Sequence, residues 1–128
     1  MLPFPIQLLP GQPIYDQIVH AVKRAVASGH LKPGDRFPAV RTISAELGVN
    51  PNTVQKAASR LVELGIIEVR AGQGSFIAEP TSPPNKAARW KALEPLVDHL
   101  LIDAARLGVD QEELLSLIEK QSRKLRSP

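Results

Sequence analysis

The stretch "RTISAELGVNPNTVQKAASRL", residues 41–61, decides the fold. Val40, Ile43 and Leu47 fall three and four apart, which predicts a short amphipathic helix over roughly 39–47. Gly48 closes it and Val49 sits in a tight connection. Asn50 and Pro51 restart a helix at once, because asparagine caps a helix well and proline suits its first position. Over 51–64, Val54, Ala57 or Ala58, Leu61 and Leu64 point inward, and Gly65 terminates the segment. The outward positions are Asn52, Thr53, Gln55, Lys56 and Arg60.

Upstream, Pro13 signals the start of another helix. Ile14, Ile18, Val22 and Val26 recur every four residues, with Tyr15, Val19 and Ala25 beside them. Gly29 stops it, and "HLKPGD" is a turn centred on Pro33-Gly34. Pro3, Pro5 and Pro10 keep residues 1–12 extended, and the alternation of Phe4, Ile6 and Leu8 predicts a short strand around 5–9. Downstream the period changes from 3.6 to 2. "IIEVR" and "SFIAE" read as short strands joined by Ala71-Gly72-Gln73-Gly74, a hairpin signal.

Beyond "EPTSPPN", residues 79–85, the pattern is helical again; the stretch itself is a polar, proline-rich linker. Trp90, Leu93, Val97, Leu100, Ala104 and Leu107 step by three and four, a seam that packs against another helix. Pro95 predicts a kink or a split near Glu94. Gly108 ends the segment, and Asp110 with Glu113 caps a last helix carrying Leu114, Leu117, Ile118 and Leu125. No internal repeat is visible.

The 128 residues fit one small domain with an appendage, and 43% apolar composition with only five aromatics implies an aliphatic core. Zero cysteines exclude disulfides and thiolate metal sites. The proline-broken start lacks the charge pattern of a secretory signal, and no apolar run is long enough to span a membrane, so the expectation is a soluble, cytoplasmic protein. The net charge is +3, with eight Lys/Arg against six Asp/Glu in residues 1–80 and eight against seven beyond. That leans only weakly toward a polyanion.

Three helices followed by a hairpin, the last two helices joined by a tight turn, outline a winged helix-turn-helix. The start of the third helix is then free to enter a major groove roughly 12 Å wide. Asn52 and Gln55 can pair bidentately with adenine, Thr53 can reach a phosphate or a thymine methyl, and Lys56 or Arg60 can neutralise backbone charge. Gly72 and Gly74 leave the tip at Gln73 without bulk, so its backbone can approach a minor groove. Each feature also has a bland origin: Asn-Pro-Asn-Thr caps ordinary core helices, and paired glycines serve any turn needing positive φ. Their order and spacing together favour DNA.

Residues 13–79 resemble, without gaps, the winged helix-turn-helix domain of the GntR family of bacterial transcription regulators. The resemblance rests on Pro13-Ile14-Tyr15-x-Gln17-Ile18, Leu31-x-Pro33-Gly34-Asp35, "VNPNTV" at 49–54 and Gly72-x-Gly74-Ser75-Phe76. "VNPNTVQKA" and the short C-terminal part are similar to the YtrA subfamily, whose members are dimers with a couple of helices after the DNA-binding domain. The resemblance implies DNA contacts at Arg41, Asn50, Asn52, Thr53 and Gln55, with Gly72, Gln73 and Gly74 as the wing tip. Many members carry arginine at the positions of Pro51 and Gln55; its absence here means their operators cannot be borrowed. Ala58 replaces a frequent tyrosine, a packing change.

The expected architecture is therefore mostly α with a small β-hairpin: a winged helix-turn-helix domain over 1–78, a linker over 79–85 and a helical dimerisation region over 86–128. Trp90, Leu93, Val97, Leu100, Ala104, Leu107, Leu114 and Ile118 are its expected dimerisation residues, because two helices alone cannot bury so wide an apolar face. Folding back on the preceding domain is the alternative. The expected partners are a double-stranded DNA operator, a second copy, and an unknown small-molecule effector held between subunits; no membrane is involved. No cofactor is expected. His20, His30 and His99 are scattered, and His99 with Asp103 and nearby Asp98 reads as a solvated helix face rather than a metal site. No catalytic constellation is discernible; Glu112 and Glu113 suit a helix start. The basic tail "KQSRKLRSP" reads as a frayed end. Rival functions are a protein-interaction winged helix and a small-molecule or metal sensor.

Overall fold

A computed structural model describes residues 1–81 and 85–126. The chain divides into two compact units, Met1–Pro80 and Thr81–Ser127. The first holds α1 (Ile14–Ser28), β1 (Arg36–Phe37), α2 (Val40–Leu47), α3 (Pro51–Glu63), β2 (Ile67–Arg70) and β3 (Gly74–Ile77).

The three helices bury one face each: Ile18, Val22 and Ala25 from α1, Ile43 from α2, and Val54, Ala57 and Leu61 from α3. Ala57 is sealed while Ala58 is half-buried. Two inward assignments fail at helix ends. Ile14 is 37% exposed and Leu64 40% exposed. The α1 stripe turns with the true helical period, so Ala25 takes the inward place. After Leu64, Gly65 reverses the chain at φ 73, and Ile67 fills the core instead.

The sheet is larger than a hairpin. Its order is β1-β3-β2, all antiparallel, because Arg36 and Phe37 pair with Phe76 and Ser75. Phe37, Ile67 and Ile77 face the helices and are buried. The turn before β1 is tied into this sheet: Gly34 N–H donates to the Ile77 carbonyl and Ile77 N–H to that of Asp35, both at 2.8 Å. Glycine is required at Gly34, where φ is 90 and the Asp35 N–H closes the turn on the Lys32 carbonyl.

The strand expected around 5–9 does not form. Pro5 and Pro10 have no N–H to give a ladder, and the Leu9 N–H and carbonyl pair instead with the Gln17 side chain, at 2.7 and 2.9 Å. The segment is held by Phe4, buried and stacked on Phe37 with ring centroids 6.0 Å apart.

The second unit consists of α4 (Lys86–Arg106) and α5 (Gln111–Arg126). Asn85 caps α4 by accepting from the Ala88 N–H at 2.8 Å, and Asp110 caps α5 by accepting from the Glu113 N–H at 2.9 Å. Pro95 does not split α4. It removes one ladder hydrogen bond, and residues 91–100 are all exposed, so water can reach the freed Lys91 carbonyl. Only Ala104 and Leu114 are buried among the described residues of this unit. Trp90, Leu93, Val97, Leu100, Leu107, Leu117 and Ile118 are exposed, and so are Leu96, Leu101 and Ile102. The apolar surface of α4 thus extends well beyond the seam expected from the sequence.

Candidate nucleic-acid interface

The α2–α3 connection is tight for identifiable reasons. Gly48 takes φ 65, its N–H donates to the Ser44 carbonyl at 2.9 Å, and the Ser44 hydroxyl donates to the Val49 carbonyl at 2.5 Å. One residue later Asn50 caps α3, with its Oδ1 accepting from the Asn52 N–H at 2.8 Å. Pro51 has no N–H, and the Thr53 N–H donates to the Asn50 carbonyl at 3.0 Å, so the first turn is internally satisfied and a phosphate there would be favoured by the positive end of the helix dipole.

Along α3, Asn52, Gln55, Lys56 and Arg60 are exposed and Thr53 is half-buried. Their resting contacts differ. Gln55 Nε2 donates to the Ser59 hydroxyl at a long 3.3 Å. The Lys56 ammonium lies 4.3 Å from the centroid of the Tyr15 ring on α1, a cation–π contact. Arg60 pairs with Glu63 at 3.0 Å. Both partners of that pair are solvent-exposed, so it contributes little and opens readily. Arg41 projects, exposed, from the first turn of α2. Asn50 has one side-chain oxygen committed to the cap, which limits what else it can accept.

At the other edge, Gly72 and Gly74 have φ 74 and 108, and the Gln73 N–H donates to the Arg70 carbonyl at 2.9 Å. Any other residue would be strained at these two positions. Two residues here carry contacts that the sequence does not predict. Arg36 donates from Nη2 to the Gln73 carbonyl, and Tyr15 carries Lys56. Tyr15 lies in the apolar stripe of α1 and packs against the core as its position predicts, so nothing local signals the contact with Lys56, and a strand of two residues such as β1 leaves no period to detect. Among the described residues, no group of three or more His, Cys, Asp or Glu side chains could hold a metal ion. Likewise, no described helix is long and apolar enough to cross a membrane.

Sequence comparison agrees with this geometry. The profile of "Bacterial regulatory proteins, gntR family" matches residues 14–77, from the first residue of α1 to the last of β3. The HTH-type transcriptional repressor YtrA of Bacillus subtilis is 36% identical over 110 residues, covering 86% of this chain and 85% of its own. The chain belongs to the GntR family. It is a DNA-binding transcription regulator of the YtrA-like kind, not an enzyme. Among solved structures, a transcriptional antiterminator from Listeria monocytogenes EGD-e superposes with a TM-score of 0.83 at 31% identity, covering 98% of this chain and 93% of that one. The DNA-binding domain of AraR in complex with operator ORR3 has a TM-score of 0.50 at 26% identity, covering 58% of this chain and 89% of that one. This GntR-family chain therefore carries the family's reading unit in its first 80 residues, followed by two helices.

Proposed function

We propose that this GntR-family protein is a cytoplasmic repressor that binds a two-fold operator as a homodimer. α3 enters the major groove and presents Asn52, Thr53 and Gln55 to base edges. Arg41, Asn50, Lys56 and Arg60 meet the sugar–phosphate backbone, and Gly72, Gln73 and Gly74 lie at the flanking minor groove. The observation that carries the proposal is the exposed, Asn50-capped start of α3, with Asn52 and Gln55 uncovered. Base discrimination needs such side chains free of strong intramolecular commitments, and among the described residues Gln55 has one bond, the 3.3 Å contact to Ser59. The operator complex of the AraR domain supports the same use of the fold.

Dimerisation follows from the second unit. α4 exposes apolar side chains from Trp90 to Leu107 and, with α5, buries only Ala104 and Leu114 among the described residues. Two helices with so little interior need a further partner, and a second copy supplies the matching face. Residues 1–78 act as the reading head, 79–85 as linker and 86–128 as the dimerisation region. Two heads one helical turn apart, or a multiple of it, would then fill successive major grooves, and occupancy of a promoter would block transcription sterically. A small-molecule effector held between the subunits would act by changing that spacing. A panel of metabolites in a thermal-shift assay tests for it, since a ligand at 100 times its Kd adds about 2.7 kcal/mol.

Selection of bound duplexes from a random pool tests the main reading. A two-fold consensus with regularly spaced halves is expected. Binding without sequence preference would overturn it in favour of a protein-interaction role.

A further inference from the structure

Arg36 lies outside every motif through which the sequence pointed to DNA, yet from the edge strand β1 it reaches the wing tip. The register places it opposite Phe76 on β3. Its neighbour Phe37 is buried, so Arg36 falls on the outer face of the sheet, beside the half-buried Phe76. The guanidinium lies over the Phe76 ring, 5.5 Å from the centroid, and that of Arg70 lies over the same ring at 4.2 Å. Arg70 is anchored in turn by Glu68, at 2.7 and 3.1 Å.

From the ring, Arg36 reaches the tip. Its Nη2 donates to the Gln73 carbonyl and passes 3.7 Å from where a Cβ on Gly74 would stand. Gln73 is thus held through both of its backbone polar groups. Its N–H bonds to Arg70 within the hairpin, and its carbonyl bonds to a side chain 37 residues earlier in the chain. A tip flanked by two glycines has wide backbone freedom, and a bond from outside the hairpin removes much of it.

We propose that Arg36 is the positioning residue of the wing. It fixes the peptide plane of Gln73 and so presets the angle at which the tip meets DNA. The proposal rests on the wing contact described above. It uses the span of the guanidinium, whose Cζ lies 5.5 Å from the Phe76 centroid while Nη2 donates to the Gln73 carbonyl; lysine has a single nitrogen for both contacts and holds the pair less well. Without it, the tip must be ordered during binding. Fixing one residue's backbone corresponds to about a fivefold to thirtyfold loss of affinity.

The experiment measures binding of the selected operator across a salt series for the wild type, Arg36→Met, Arg36→Lys and Gln73→Glu, with 15N relaxation at Gly72–Gly74. Arg36→Met is expected to weaken binding about fivefold to thirtyfold and to raise mobility at Gln73. The slope of log affinity against log salt should change by well under the ~0.9 that one lost phosphate contact produces. Arg36→Lys should resemble Arg36→Met, and it carries the test should the methionine variant melt early. Lysine binding like the wild type, or a slope change of about 0.9, would overturn the proposal in favour of a simple charge contact. Gln73→Glu separates the two layers, because a carboxylate at the tip must repel DNA. No effect of Gln73→Glu would remove the wing contact itself. A loss there with full affinity in Arg36→Met would remove only the role of Arg36.

Discussion

Replacing Gln55 by alanine tests the assignment of α3 most directly. The side chain is exposed, so nothing in the core changes, and among the described residues its one hydrogen bond is the 3.3 Å contact to Ser59. Breaking an exposed bond of that length alters folding by a few tenths of a kcal/mol at most, within the ±0.5 kcal/mol usual for surface changes of about this kind. A bidentate amide–adenine pair discriminates by about 1–3 kcal/mol, so each half-site should lose roughly fivefold to 150-fold in affinity. Anisotropy titration of a labelled single half-site at fixed salt measures this loss. The decisive comparison replaces the contacted base as well. If Gln55 reads it, the second change should add almost nothing on top of the first, because the partner is already gone. Fully additive losses, or unchanged affinity in Gln55→Ala, would refute the base contact and leave Gln55 as a solvated residue.

Other expectations follow from local geometry. Asn50→Ala removes the acceptor for the Asn52 N–H and should lower stability by about 1 kcal/mol in urea unfolding, with operator binding falling as well. Gly48→Ala meets no atom within 4 Å, so only the backbone at φ 65 resists it. About 1–2 kcal/mol of destabilisation is expected, read as a melting shift of several degrees; an unchanged melting temperature would contradict the strain argument. Leu100→Asp places a charge on the exposed apolar face of α4 and should give monomers in sedimentation with unchanged helix content. A persistent dimer would show that this face is not the contact.

The helices were legible from residues 13–64 because each must hide one stripe, and the stripe repeats at the helix period. Pro51 and the glycines at 29, 48 and 65 marked the boundaries chemically. Legibility failed where a choice depended on partners far along the chain. The alternation of Phe4, Ile6 and Leu8 imitated a strand, but the backbone bonds of Leu9 went to a glutamine side chain on α1. β1 was invisible because two residues cannot display a period, and only pairing with β3 creates it. The second unit was misjudged in breadth: its seam was visible, while Leu96, Leu101 and Ile102 extend the apolar surface around α4.

The same division holds at the interface. Residue type and helix phase decided that Asn52, Gln55, Lys56 and Arg60 lie outside, since an outward position follows from the inward ones three and four residues away. What those side chains touch at rest was decided by tertiary structure. Lys56 rests on a tyrosine of α1, Arg60 on Glu63, and the wing tip on Arg36 from a different strand. Of these only the Arg60–Glu63 contact has helical spacing. The others join residues roughly forty positions apart, and no local pattern encodes a distance that exists only after the chain has packed.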